Sequence, residues 1–232
     1  MTFNMTEFAG NVQMVREKVR KAALKAGTDP KTIHLVAVSK TVGPEEIGIA
    51  CRHGLSDFGE NRVRDLLLKQ GEHPQVRWHM IGHLQTNKVK DLIGKAFLIH
   101  SLDRWALAEY IERRAEMEGI MVPTLLQVNV SGEKSKGGVA PSEVRDFLLA
   151  CGQFKHLQVK GLMTMAPEVD DQEETRPVFK ELRKIFDVVK RQDYPQVEMR
   201  YLSMGMTQDF EVAIEEGANM VRVGRALFGP RL

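Results

Sequence analysis

Short apolar runs recur along the chain and are separated by amphipathic stretches with helical spacing. The runs are rich in β-branched residues and lack strict alternation, which is typical of parallel strands covered on both faces. Seven runs are clear, and a weaker one brings the number of predicted strands to eight. The predicted strands are Ile33–Val38, Ser56–Gly59, Val76–Ile81, Phe97–Ile99, Thr124–Val130, Val159–Met163, Met199–Leu202 and Met220–Val223.

The stretches between these runs predict helices. Pro44 suits a first helical turn, and Asp103 is expected to cap the helix that carries Leu107 and Ile111 on one face. Alternating strands and helices predict a parallel sheet, because such a connection brings the chain back to start each strand in the same direction.

Eight units of about 29 residues most simply close into a single (β/α)8 barrel of the TIM type. An additional N-terminal helix, with Phe8 and Val12 on its apolar face, is expected to cover the side where no full eighth helix fits. We expect one domain over residues 1–232. An open doubly wound sheet is the competing architecture, but the glycine-rich turn that usually follows its first strand does not follow Val38.

Composition excludes several functional classes. The chain has 232 residues with 33 basic and 31 acidic side chains, and its net charge of +2 gives no strong field for nucleic acid or membrane binding. Its 2 cysteines do not make a disulfide framework. The chain contains no apolar stretch of about 18 residues, so no transmembrane helix is predicted. Its N-terminal segment contains charged residues and is not a signal peptide. We therefore expect a cytoplasmic protein.

In a barrel of this type, functional residues collect at the C-terminal ends of the strands. The loop Ser203–Thr207 follows the seventh predicted strand and leads into a helix, and Gly224 opens a second turn after the eighth. Backbone N–H groups at such turns favour anions, and barrels often bind phosphate there. The alternative is an ordinary helix start with Thr207 as its cap.

Lys40 ends the first predicted strand and is the second candidate. A desolvated lysine near cationic groups has a lowered pKa and becomes a nucleophile for aldehydes. A single lysine is more often an ordinary surface residue. Together with a phosphate site across the same barrel mouth, however, it suits a phosphorylated aldehyde held as a Schiff base.

Six ordered motifs carry a resemblance to a known family. The motifs are Val36–Lys40, Phe58–Asn61, Trp78–Lys88, Gly161–Met165, Leu202–Met206 and Val221–Gly224. Over residues 12–229 their spacing resembles that of the pyridoxal phosphate homeostasis protein family, whose fold is similar to the N-terminal domain of alanine racemase. Each motif alone is weak, but six in order are specific.

The resemblance implies that Lys40 carries pyridoxal 5′-phosphate as an internal aldimine. The family's phosphate cradle is matched by the Ser203 side chain and by the backbone of Met204, Gly205, Gly224 and Arg225. Asn61 and Met163 match residues that line the cofactor, and Arg222 matches the arginine that faces the pyridine nitrogen. Many relatives have a small hydroxyl residue at the position of Arg225, so a hydroxyl contact to phosphate is lost there. We add His79 to this set as a hydrogen-bonded histidine at the barrel mouth.

The resemblance also implies a monomer without established enzymatic turnover that supplies or buffers the cofactor and affects amino-acid and keto-acid pools. Transient contact with apo forms of enzymes that use the cofactor is the partner interaction it implies. Because Arg222 cannot accept a proton, it leaves the ring nitrogen neutral and the cofactor a weak electron sink. We also expect no second domain to supply an opposing acid or base after Leu232. We therefore expect no catalytic residues.

Two enzymatic functions remain open. The first is a racemase or decarboxylase of small amino acids, and the second, weaker one is a Schiff-base aldolase acting on a phosphorylated sugar. Lys136, in the glycine-rich loop 132–138, is a hypothetical second aldehyde acceptor, although a solvated lysine is more common. His79 and His83 lack the helical spacing of a zinc pair, so no metal is expected.

Overall fold

Eight parallel strands close into a barrel in the computed structural model, which describes residues 4–133 and 136–229. Each strand pairs with its sequence neighbours, and the first closes on the last, with His34 opposite Met220. The strands are β1 His34–Val38, β2 Asp57–Glu60, β3 Arg77–Met80, β4 Leu98–Leu102, β5 Val122–Gln127, β6 Leu157–Met163, β7 Val197–Ser203 and β8 Met220–Val223. The predicted barrel is confirmed, and each predicted strand overlaps an observed one.

Helices surround the barrel. Within the described ranges they are α1 Met5–Lys25, α2 Pro44–Arg52, α3 Val63–Glu72, α4 Val89–Leu92, α5 Trp105–Glu118, α6 Val144–Cys151, α7 Arg176–Lys190, α8 Phe210–Glu215 and α9 Arg225–Phe228. Over the part of the chain that the structure describes, no helix has the length and apolarity needed to cross a membrane.

The N-terminal helix takes the place of a full eighth barrel helix. Asn4 is its N-cap residue, and the side-chain amide oxygen of Asn4 accepts hydrogen bonds from the N–H groups of Thr6 and Glu7. The buried face of α1 includes Phe8 and Val12 and packs against α8 and α9. Because α9 has only 4 residues, it leaves apolar barrel surface that α1 covers, as the sequence predicts.

One predicted helix start is wrong. The helix α5 begins at Trp105, with Arg104 at its N-cap position, and not at Asp103. The Asp103 carboxylate instead lies 2.9 Å from Nδ1 of His83 and accepts a hydrogen bond from Arg104. A tertiary contact with the loop after β3 has displaced the local capping interaction.

The barrel encloses a small apolar core and a polar layer. The apolar core inside the strands consists of Val36, Leu98, Leu125, Met163, Tyr201 and Met220. The larger core lies between the strands and the helices. In the parallel register, Val36 is opposite both Asp57 and Arg222, so these two polar residues share its inward face. The same alternation turns buried polar side chains of β3, β4 and β7 inward.

Glycine at position 161 is required by the contact between β6 and β7. Gly161 has φ +147°, and a Cβ atom there would lie 1.8 Å from the carbonyl oxygen of Tyr201. The register of the two strands shifts between Val159 and Gly161. Only a residue without a side chain allows this close approach, which keeps the two strands paired next to the barrel mouth.

Candidate functional site

A cavity of about 480 Å³ opens at the C-terminal ends of the strands. This volume lies within the usual range for small-molecule sites, which is roughly 300–1,000 Å³. Segments that follow β1, β6, β7 and β8 line it. The lining residues are Val38, Lys40, Thr41, Pro167, Glu168, Met206, Thr207, Gln208, Asp209, Arg222, Gly224, Arg225, Phe228 and Gly229.

Lys40 lies at the rim of the cavity, two residues past the end of β1. The preceding residue, Ser39, is buried and held at three points: its N–H group donates to the carbonyl of Gly59, its hydroxyl donates to Glu60, and its carbonyl accepts from Lys69. Lys40 is exposed. The backbone under this lysine is therefore fixed, while its side chain is accessible to a ligand.

Arg222 forms a buried cationic part of the cavity wall. Its side chain projects from β8, and the residue is 4% exposed. One amino group donates to the hydroxyl of Ser203 at 2.6 Å, and the other donates to the carbonyl of Thr164 at 2.8 Å. Burial lowers the pKa of Arg222 to about 10, so the side chain stays protonated at neutral pH. These two hydrogen bonds hold the plane of the Arg222 guanidinium in place.

The loop after β7 and the turn after β8 meet on one side of the cavity. The Gly224 N–H group donates to the hydroxyl of Thr207 at 3.2 Å, which ties the two segments together. Gly205 has φ +92°, and a Cβ atom there would lie 2.6 Å from Cβ of Ala213. Glycine thus allows this loop to turn tightly against α8.

Thr207 does not cap the following helix. The N-cap position of α8 is Asp209, which accepts the Met206 N–H group at 2.6 Å. Burial raises the pKa of Asp209, against the opposing effects of this hydrogen bond and of nearby Arg222. The Thr207 hydroxyl is consequently left at the cavity surface, beside the Gly224 and Arg225 turn.

Four of the residues predicted from the sequence line the cavity together: Lys40, Arg222, Gly224 and Arg225. They come from two adjacent strands, β1 and β8, whose C-terminal ends meet where the barrel closes. With Thr207, they give the cavity lining one amine, two guanidinium groups and one hydroxyl. This donor set suits an anionic ligand that carries an aldehyde.

The other six predicted residues do not line the cavity. Asn61 is exposed after β2, and Met163 belongs to the apolar core inside the barrel. The Ser203 hydroxyl accepts a hydrogen bond from the Arg222 side chain. The Met204 N–H group donates to the carbonyl of Met220, and the Gly205 carbonyl accepts from the backbone N–H group of Arg222. Ser203, at the end of β7, and the two residues after it therefore bond to β8 behind the cavity lining.

His79 does not lie at the barrel mouth, where the sequence placed it. It is fully buried inside the barrel, with Nε2 at 3.0 Å from Asp57 and Nδ1 at 2.9 Å from His100. His79 stands within β3 and not after its end, and the alternation of side chains along the strand turns it inward. Burial lowers the pKa of His79 against the effect of Asp57, so the ring stays neutral.

Several cavity residues were not in the predicted set. The lining adds Thr41, Glu168, Gln208 and Asp209, and it uses Thr207 as a cavity hydroxyl. Thr207 stands in the loop that the sequence singles out as a phosphate site, where capping of the following helix is the alternative role. No sequence signal distinguishes Glu168, because it lies five residues beyond the end of β6.

Comparison with known proteins identifies relatives over nearly the whole chain. The family model of the alanine racemase N-terminal domain matches residues 8–231. The pyridoxal phosphate homeostasis protein of Aquifex aeolicus is 45% identical over 219 residues, which cover 94% of this chain and 95% of that protein. The protein of the same name from Escherichia coli is 34% identical, and the match covers 98% of each chain.

Solved structures show the same architecture. The structure of PipY from Synechococcus elongatus with pyridoxal phosphate bound has a TM-score of 0.82 and 34% identity, covering 96% of this chain and 100% of that one. Alanine racemase from Corynebacterium glutamicum has a TM-score of 0.75 at 15% identity, covering 99% of this chain and 62% of the racemase. The second similarity is one of fold alone.

Proposed function

Because the chain belongs to the family of the pyridoxal phosphate homeostasis proteins, within the alanine racemase N-terminal domain family, we propose that it binds pyridoxal 5′-phosphate through Lys40 and acts in the homeostasis of this cofactor. The observation that carries the proposal is the convergence of Lys40, Arg222, Thr207 and the turn Gly224–Arg225 on one cavity. We treat residues 1–232 as one cofactor-binding domain.

The residues present fit this cofactor. Lys40, Arg222 and Arg225 give the cavity three basic side chains, and the phosphate group is an anion. A Cβ atom at Gly224 would lie 3.3 Å from the backbone of Val38, so glycine keeps this wall of the cavity open. Thr207, Gly224 and Arg225 would hold the phosphate, and Lys40 would supply the amine that bonds to the aldehyde carbon.

Arg222 would face the ring nitrogen. When bound, the cofactor supplies an electron sink for reactions of amino acids, and the sink is strongest when the ring nitrogen is protonated. A guanidinium has donors and no acceptor, so Arg222 cannot hold a proton on that nitrogen. Tyr201, two residues before the C-terminal end of β7, lies in the apolar core inside the barrel and not in the cavity lining. Both observations support a carrier or buffer without turnover.

The test of cofactor binding is covalent trapping. Protein incubated with pyridoxal 5′-phosphate should absorb in the visible range, and borohydride reduction should fix a cofactor-sized mass on the peptide that contains Lys40. Lys40→Ala should lose both signals. Lys31→Ala, an exposed lysine before β1 at the opposite end of the barrel, should keep both. An unchanged spectrum in Lys40→Ala contradicts the proposal.

The alternative is a racemase or decarboxylase, for which Glu168 and Asp209 are the carboxylates in the cavity lining. Incubation of the loaded protein with amino acids in deuterated water separates the two functions. A carrier gives Cα–H exchange no faster than the free cofactor does. Faster exchange supports racemase-type chemistry, and release of carbon dioxide supports decarboxylation.

Delivery of the cofactor to other proteins is part of the proposed role. Lys136 remains the predicted second acceptor; its ammonium lies 3.0 Å from Glu133, and the neighbouring residues 134–135 of the loop lie outside the described residues. The Lys136→Ala variant should slow transfer to an apo-enzyme that uses the cofactor. An unchanged transfer rate contradicts this role. The monomeric state and the cytoplasmic location stay predictions.

A further inference from the structure

Polar side chains inside the barrel form one continuous hydrogen-bonded chain. It begins at Arg77, at the N-terminal end of β3, and ends at Arg222, in the wall of the cavity. Its members, in order of contact, are Arg77, Asp57, His79, His100, Ser203 and Arg222. Arg77 is partly exposed, and the other five residues are at most 5% exposed. This chain, referred to below as the barrel chain, crosses the interior of the barrel.

Each link of the barrel chain is within hydrogen-bond distance. Arg77 donates to both carboxylate oxygens of Asp57, at 2.7 and 2.5 Å. His79 lies 3.0 Å from Asp57 and 2.9 Å from His100. His100 lies 3.1 Å from the hydroxyl of Ser203, which accepts a bond from Arg222 at 2.6 Å.

The proton positions follow from the Asp57 end. An ionised carboxylate only accepts, so Nε2 of His79 carries a proton and donates to Asp57. In a neutral ring, Nδ1 of His79 is then an acceptor, and Nε2 of His100 has to donate to it. Nδ1 of His100 is left as an acceptor for the Ser203 hydroxyl.

The Arg222 end requires the same order. Arg222 only donates, so its bond occupies the Ser203 oxygen as an acceptor. If His100 also donated to Ser203, the serine proton would have no acceptor within the barrel chain, and a buried unsatisfied hydroxyl is costly. Burial lowers the pKa of His79 and of His100, which agrees with two neutral rings.

We infer that Asp57, His79 and His100 are positioning residues that act through Ser203 to hold Arg222 as a fixed donor at the cavity, with one direction of donation from Arg222 to Asp57. For its effect on the cofactor, the inference rests on the proposed function. Arg222 donates two of its five N–H groups to Ser203 and Thr164, so the plane of the guanidinium is set before a ligand arrives. Asp57, which accepts from Arg77 and from His79, fixes which way each ring donates.

The first experiment measures the histidine protons in the wild-type protein. With 15N-labelled histidine, long-range 1H–15N correlations report the charge and tautomer of each ring, and His79→Gln and His100→Gln assign the signals. Both rings should be neutral with the proton on Nε2, with or without added pyridoxal 5′-phosphate. A proton on Nδ1 of either ring at neutral pH overturns the inference. This readout stands even if the protein binds no cofactor, so it is separate from the proposed function.

The second experiment breaks the barrel chain at two places. Ser203→Ala and Asp57→Asn should each weaken binding of pyridoxal 5′-phosphate, by about tenfold for Ser203→Ala, which corresponds to about 1.4 kcal/mol. In both variants the pH at which the bound cofactor changes its absorption should also shift. Ser101→Ala is the matched control, because Ser101 is equally buried beside His100 and its hydroxyl has no partner among the described residues. Wild-type affinity and an unshifted pH profile in either Ser203→Ala or Asp57→Asn overturn the inference.

Discussion

Lys69 lies with its ammonium nitrogen 2.5 Å from Oε1 of Glu60, and both side chains are buried between the barrel and α3. The same ammonium donates to the carbonyl of Ser39 at 2.7 Å. Ser39 directly precedes Lys40, so the ion pair fixes the backbone from which the proposed cofactor lysine extends. A charge that supports the site thus comes from a helix on the outside of the barrel.

Removing one partner of this pair should be strongly destabilising. We expect Lys69→Met to lower the free energy of unfolding by about 3–5 kcal/mol, because it leaves Glu60 as a buried charge without compensation. Urea denaturation measures this cost, and Lys184→Met, at a side chain that is 67% exposed, is the control. The double variant Lys69→Met/Glu60→Leu should recover part of the loss. A cost for Lys69→Met as small as that of the control contradicts this account.

The Thr207 hydroxyl should matter for affinity more than for stability. Thr207→Val removes the oxygen that accepts the Gly224 N–H group and that we propose binds phosphate. We expect roughly tenfold weaker binding of pyridoxal 5′-phosphate, with a loss of stability of about 1 kcal/mol, as for one hydrogen bond. Thr28→Val, in the loop before β1 at the other end of the barrel, should bind as the wild type does. Equal affinities in the two variants would remove Thr207 from the site.

Stability should fall as the pH is lowered from 7 to 5. Burial lowers the pKa of three histidines, His34, His79 and His100, below the unfolded value of about 6.5. In the window below that value the unfolded chain binds protons that the folded rings do not, so the free energy of unfolding decreases with decreasing pH. Denaturant midpoints at pH 7, 6 and 5 measure the slope, and His34→Gln should reduce it. A midpoint that is constant or rises toward pH 5 contradicts the prediction.

Two glycines should respond in opposite directions to the same substitution. Gly161→Ala places a methyl group 1.8 Å from the Tyr201 carbonyl at φ +147°, and we expect a loss of roughly 3 kcal/mol or more, or no folded protein. Gly10→Ala, on α1, where the added carbon would have no atom within 4 Å apart from its chain neighbours and the adjacent helix backbone, should stabilise the protein by about 0.5–1 kcal/mol. Thermal unfolding of both variants measures the difference, and a tolerated Gly161→Ala would mean that β6 and β7 can separate.

The barrel itself could be predicted because its signals are local. Each strand is an apolar run a few residues long, and each intervening helix repeats its apolar residues every three or four positions. Four residues of the cavity lining could be predicted as well, because each stands within two residues of the C-terminal end of a strand. They are Lys40, Arg222, Gly224 and Arg225. In a parallel barrel, such positions all open on the same face.

The polar layer inside the barrel could not be predicted from the same pattern. In a strand that is buried on both faces, the run of apolar residues does not show which positions point inward. His100 lies just past the predicted end of its strand, and Asp57 stands in the weakest predicted run. Their contacts join residues up to 103 positions apart, from His100 to Ser203.

The sequence by itself determined the order of strands and helices and the residues at the strand ends, since these depend on neighbours along the chain. Only the tertiary structure decided that the Ser203 hydroxyl binds Arg222, that His79 lies inside the barrel, and that Lys69 supports Lys40. Each of these depends on the register with which the strands close and on the packing of a helix against them. Register sets which side chains share a face, and that choice is made by contacts between segments distant in sequence.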